Sequence, residues 1–129
     1  MIVLDTHVWV WWVNQSSQLT PELRRTIHSH QMTGLGVSLI SCWEVAKLVE
    51  LGRLQLTLPT LDWLNQALAY QGVQLLDLTV PIVVESTQLP GTFHRDPADQ
   101  LIVATARIYG VPLLTVDSKI LNYPHVRTV

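Results

Sequence analysis

Residues 96–117 read DPADQLIVATARIYGVPLLTVD, and this run decides the fold class. Asp96 and Pro97 are a helix start, a capping carboxylate followed by proline at the first helical position. From Asp99, residues Ile102, Val103 and Ala106 fall at i+3, i+4 and i+7, an apolar helix face. Gly110 stops the helix after Tyr109. Pro112–Val116 is then a short apolar strand without two-residue alternation, as in a sheet covered on both faces. Asp117 ends it.

The same unit recurs on either side. Met1–Leu4 reads as a buried strand closed by Asp5, with a short helix over His7–Val13 behind it. Thr20-Pro21-Glu22 opens a helix to about His30. Leu35–Leu39 is a second strand, and the flanking Gly34 and Gly36 are a turn signal. Ser41 and Glu44 have capping-box spacing and open a helix to about Leu51, ended by Gly52. Thr60 to about Tyr70 is amphipathic, with Leu61, Leu64 and Leu68 on one side. Gly72 precedes a third strand, Val73–Leu76, and Thr79 starts a helix to about Gln88. Leu89–Arg95 is a loop. Val126–Val129 reads as a last edge strand. Short apolar strands alternating with helices predict an α/β fold, a mostly parallel sheet with helices on both faces.

The chain has 129 residues, enough for one domain with one core. Apolar residues make up 48% and charged residues 14%, with mean hydropathy +0.27. That surplus predicts a covered surface, a second copy or a partner. Trp11, Trp12, Trp63 and the alternating Leu54, Leu56 and Leu58 are the expected contributors. Tryptophans 9, 11, 12, 43 and 63 are read as core or interface ahead of base-stacking platforms. No signal peptide is visible, and VWVWWV at 8–13 is too short to span a bilayer. A lone Cys42 forms no intrachain disulfide, which fits a reducing cytoplasm.

In such sheets, ligands bind beyond the carboxyl ends of the strands. Asp5 and Asp117 stand at strand ends, and Glu44 and Asp99 head apolar helix faces. Each has an ordinary use as well, in a cap or a turn. Together they are costly. Two carboxylates about 5 Å apart repel by roughly 3 kcal/mol at an effective dielectric of about 20. A helix N-terminus returns only about 0.3–1 kcal/mol. A cluster of four calls for a cation, raised pKa values, or both, and oxygen-rich sites suit Mg²⁺ or Mn²⁺. Formal charge is −2. Setting the four acids aside leaves six acids against eight bases, a mildly basic remainder of +2.

Other chemistries lack their patterns. There is no G-x-S-x-G elbow, phosphate-binding glycine loop or zinc-type histidine spacing. A haloacid-type phosphatase needs a second Asp two residues after the first, where this chain has His7. A receiver domain needs a lysine that has no counterpart here. His7 and His94 fall near the acid-bearing segments and within reach of a substrate. A catalytically silent binding module of the same fold is the alternative from another class.

Three stretches, MIVLDTHVWVWW at 1–12, VSLISCWEVAKLVELGRLQL at 37–56 and LPGTFHRDPADQLIVATARIYGVPLLTVDSKI at 89–120, resemble the PIN-domain family, most of all the VapC-type toxins of bacterial toxin–antitoxin pairs. The resemblance spans nearly the whole chain. It implies a three-layer α/β domain and a metal-dependent endoribonuclease that inhibits translation, with Mg²⁺ or Mn²⁺ as cofactor. It carries the family's catalytic, metal-holding acids onto Asp5, Glu44, Asp99 and Asp117. Asp5 and Asp99 are the first choice as direct ligands. Supporting hydroxyls fall on Thr6 and Thr115, and Asp96 is the helix cap behind the site. Implied partners are an RNA substrate such as transfer RNA, a cognate antitoxin and a second copy of the chain, with no membrane involved. One departure stands out: relatives read D-P-F-D-R where this chain has Ala98 and Gln100, so a cation near the site is missing.

Overall fold

The computed structural model describes residues 1–129. In chain order the elements are β1 (Ile2–Leu4), α1 (Thr6–Val13), α2 (Pro21–His30), β2 (Leu35–Ser38), α3 (Leu39–Glu50), α4 (Thr60–Leu68), β3 (Val73–Leu76), α5 (Val80–Ser86), α6 (Pro97–Tyr109), β4 (Leu113–Leu114) and α7 (Ser118–Leu121). The four strands form one sheet in the order β3-β2-β1-β4, and every pairing is parallel. All strand carboxyl ends therefore point to one edge.

Alternation along the strands divides the core into two layers. Ile2, Leu4, Leu35, Val37 and Leu114 pack with Val8, Trp9, Ile27, Val45, Trp63 and Ala67. Val3, Leu76 and Leu113 face the other way, against Ile102, Val103 and Ala106 of α6 and Ile120 of α7. Both sides of β1 are thus sealed, which is why its residues are apolar without alternation. Gly36 lies inside β2 and is more than a turn signal. A Cβ there would stand 2.7 Å from Leu76 Cδ1, so the facing layer fills the space.

Several local expectations are corrected. Helix α3 starts three residues earlier than the Ser41–Glu44 spacing suggests. Ser38 is its cap, accepting from the Ile40 N–H at 3.2 Å. Ser41 and Glu44 are consequently free of capping duty. The final strand reduces to Leu113–Leu114, and the Val126–Val129 edge to a single bridge, Leu113 to Thr128. Arg107 and Arg127 hold that tail through the carbonyls of His125 and Gly110. A short α7, absent from the sequence reading, begins at Asp117.

One residue of the expected partner surface is corrected. Trp63 is buried, with its ring edge-on to Trp9 at 5.4 Å. Trp11, Trp12, Leu54, Leu56 and Leu58 pack partly buried against the same layer. Exposed apolar side chains are spread over several elements, among them Leu39 and Trp43 on α3, Leu61 on α4 and Val80, Val83 and Val84 on α5. No helix is long and apolar enough to cross a membrane.

Candidate metal centre

Register builds the site. Leu4 pairs with Leu114, and the Asp5 N–H donates to the Leu114 carbonyl at 2.9 Å. Asp5 and Thr115 therefore leave neighbouring parallel strands side by side. Thr115 Oγ1 donates to Asp5 Oδ2 at 2.6 Å and accepts from the Asp117 N–H at 3.0 Å. One hydroxyl thus ties the first acid to the last. The Thr6 N–H donates to Asp5 Oδ1 at 2.8 Å, which makes Asp5 the cap of α1. Asp5 is buried.

Glu44 arrives from the second turn of α3. Thr6 Oγ1 hydrogen-bonds both Glu44 Oε1, at 2.5 Å, and Ser41 Oγ, at 2.8 Å. A hydroxyl has a single proton, so with Glu44 ionised Ser41 supplies the second bond. Ser41 is fully buried, and its role was missed because its spacing read as a cap. Its position at i−3 from Glu44, on the same helix face, is the signal that could have found it.

Asp96 caps α6 by accepting from the N–H groups of Ala98 and Asp99 at 2.9 and 3.2 Å. Asp99 is left free to turn toward the strand ends. His94 Nε2 sits 3.1 Å from Asp99 Oδ2, at ion-pair distance but without the alignment of a hydrogen bond. Asp117 caps α7 through the N–H groups of Lys119 and Ile120, at 2.8 and 3.3 Å.

Asp5, Glu44, Asp96, Asp99 and Asp117 line one cavity of about 310 Å³, closed by His7, Trp11 and Val116. No lysine or arginine lines it. The charge has physical consequences. Burial raises Asp5 above the usual carboxylate range, against the hydrogen bonds from Thr115 and Thr6. Burial also raises Glu44, against the Thr6 hydrogen bond. Asp99 is pushed up to about 7, by burial first and then by Asp5, Asp96, Glu44 and Asp117. The cavity resists holding all its charges at once.

That donor set fits a hard divalent cation, which prefers carboxylate oxygens and would relieve the repulsion. No three of the acids and histidines stand close enough together to hold an ion, so binding one would need these side chains to move inward. Glu44 and Asp117 are anchored by Thr6 and by α7.

A parallel α/β fold with a carboxylate-lined cavity at its strand ends defines the class of protein. The chain belongs to the PIN-domain family, whose model matches residues 2–126. It is 36% identical over 129 residues to Ribonuclease VapC22 of Mycobacterium tuberculosis, covering 99% of this chain and 95% of that protein. Solved structures share the fold. VapBC2 from Rickettsia felis, bound to a DNA fragment from their promoter, has a TM-score of 0.73 at 15% identity, covering 100% of this chain and 98% of the other. FitAcB from Neisseria gonorrhoeae has a TM-score of 0.62 at 21% identity, with coverage of 92% and 89%.

Proposed function

We propose that this chain is a metal-dependent endoribonuclease, the toxin of a toxin–antitoxin pair that inhibits translation by cutting RNA such as transfer RNA. The observation that carries the reading is the cavity lined by five carboxylates and by no lysine or arginine, in which Asp99 rises to about 7. Its likeness along the full chain to a ribonuclease of the same family supports the RNA substrate.

The chemistry is hydrolysis: water adds to phosphorus, the P–O bond to the leaving nucleotide breaks, and a proton goes to that oxygen. A bound Mg²⁺ or Mn²⁺ would neutralise the carboxylates and the phosphate and activate the attacking water. Asp5 and Asp99 would hold the ion. Thr115 and Thr6 fix the Asp5 carboxylate through both oxygens, so its orientation does not depend on the ion. Glu44, held by Thr6, would orient the attacking water. Asp96 keeps α6 in register behind Asp99.

Two partners belong to the same reading. An antitoxin segment bearing Arg or Lys would inhibit by entering the acidic cavity and taking the place of the cation. The solved neighbours that are toxin–antitoxin complexes support such a partner. A homodimer would cover the apolar residues exposed on α3 and α5. The test is direct. Purified chain should cut single-stranded or loop RNA in Mg²⁺ or Mn²⁺, stop in EDTA, and lose activity as Asp5→Asn. A folded chain that leaves RNA intact in both metals would favour the silent binding module.

A further inference from the structure

A second cavity, of about 550 Å³, opens beside the α6 start, at Arg95 and Gln100. Its lining includes Ser86, Thr87, Phe93, Arg95 and Gln100. His94 touches one lining residue of each cavity. One side of its ring region meets Asp99 at 3.1 Å, and its ring packs on Phe93 with centroids 4.5 Å apart. Asp96 and Asp99 thus face the acidic cavity while their chain neighbours Arg95 and Gln100 face this one.

Its chemistry is selective. Arg95 is exposed and forms no ion pair, unlike Lys47 and Arg107, which pair with Glu50 and Glu85. The Asp96 carboxylate next to it is spent on the helix cap. Gln100 Nε2 donates to the His94 carbonyl at 3.0 Å and braces the loop. Ser86 and Thr87 have each given their one hydroxyl proton to a carbonyl, of Val83 at 2.6 Å and of Val84 at 2.8 Å. They offer the cavity lone pairs only. A phosphate would be repelled there, but a ribose 2′-hydroxyl can donate to them.

We propose that this cavity is a ribonucleotide subsite beside the cleavage site, with Arg95 on the phosphate and Ser86 and Thr87 accepting from the 2′-hydroxyl. The proposal rests on the ribonuclease reading. Its volume suits one nucleotide with its phosphate, and Phe93 gives the base an apolar wall. Arg95 supplies the cation that Gln100 does not. A further cavity, about 580 Å³ along α1, also holds an arginine, Arg53, and shares His7 and Trp11 with the acidic cavity, so Arg53 is the control for Arg95.

The test is fluorescence anisotropy with a labelled twelve-nucleotide RNA of mixed sequence and its DNA counterpart. It uses Asp5→Asn protein in Mg²⁺ over a series of salt concentrations, with cleavage by the parent chain assayed in parallel. Arg95→Ala should weaken both probes about tenfold and lower the salt slope by about 0.7, the loss of one phosphate contact. Thr87→Val should weaken RNA alone, about threefold, and Thr87→Ser should restore it. Arg53→Ala should change neither. Matching thermal melts establish that each variant is folded. If the parent cuts RNA but Arg95→Ala binds like its background, or only Arg53→Ala loses binding, the subsite is wrong and the ribonuclease reading stands. If Thr87→Val affects RNA and DNA alike, the ribose contact is wrong. If the chain neither binds nor cuts RNA, both readings fall.

Discussion

Asp99→Asn removes one charge from the acidic cavity at nearly constant shape. In the metal-free chain, burial and four neighbouring carboxylates push Asp99 from 3.8 up to about 7. The folded chain therefore holds this proton more tightly than the unfolded chain. Stability should fall as pH rises from 3.8 to about 7 and level off above that. At 1.36 kcal/mol per pKa unit, the ceiling of the loss is roughly 4 kcal/mol. The side chain is 16% exposed and lines an open cavity, so screening reduces the expected loss to roughly 1–2 kcal/mol. The Asn variant carries no such penalty. In EDTA at pH 8 it should be more stable than its parent by about 1–2 kcal/mol, and at pH 4 the gap should close. Urea denaturation followed by tryptophan fluorescence reads both values, because Trp9 and Trp63 report on the core. His94→Gln, measured alongside, separates the part played by the imidazole. A variant no more stable than its parent at pH 8, or a gap that widens on acidification, would refute the reasoning.

Three further outcomes are expected. Millimolar Mg²⁺ should raise the melting temperature of the parent chain, since an ion that binds only the folded state adds stability by mass action; differential scanning fluorimetry should show a much smaller rise in Asp99→Asn. Thr115→Val should cost about 1–3 kcal/mol, because it leaves the Asp117 N–H without its acceptor and Asp5 Oδ2 without its donor. Its RNA cleavage should drop at least about tenfold, and a variant that cuts at the parental rate would remove Thr115 from the site. Asp96→Ala should lose about 1 kcal/mol with the cap of α6, measured by urea denaturation, while cleavage falls less than in Asp5→Asn.

The architecture was legible wherever a local signal and burial agreed. Thr20-Pro21-Glu22 and Asp96-Pro97 open helices at the expected residues, and Gly110 adopts the left-handed conformation that ends α6, at φ 65°. Strand β3 has the expected bounds, Val73–Leu76. The start of α3 was misread because two serines compete for the cap, and Ser38 wins by leaving β2 directly into the helix. Nothing in the sequence separates Ser38 from Ser41 without knowing where the sheet ends. Helix α7 has four residues, too few for periodicity. Its only local mark was Asp117, which already had a reading as a strand-end acid. At the site, the sequence made visible which acids could meet. It did not reveal how they are held, because the Thr115 bridge depends on the register of β1 against β4. Trp63 was misassigned to a partner surface because apolar content alone does not distinguish a tryptophan that packs on Trp9 in the core from one left partly exposed.

The central claim is that the acids at the strand ends form one divalent-cation site. Anomalous diffraction from crystals grown in Mn²⁺ tests it directly. A strong peak bonded to the carboxylates of Asp5 and Asp99, lost in Asp99→Asn crystals, is the result predicted. No peak in that cavity at millimolar Mn²⁺, or a peak held by other residues, would contradict the claim.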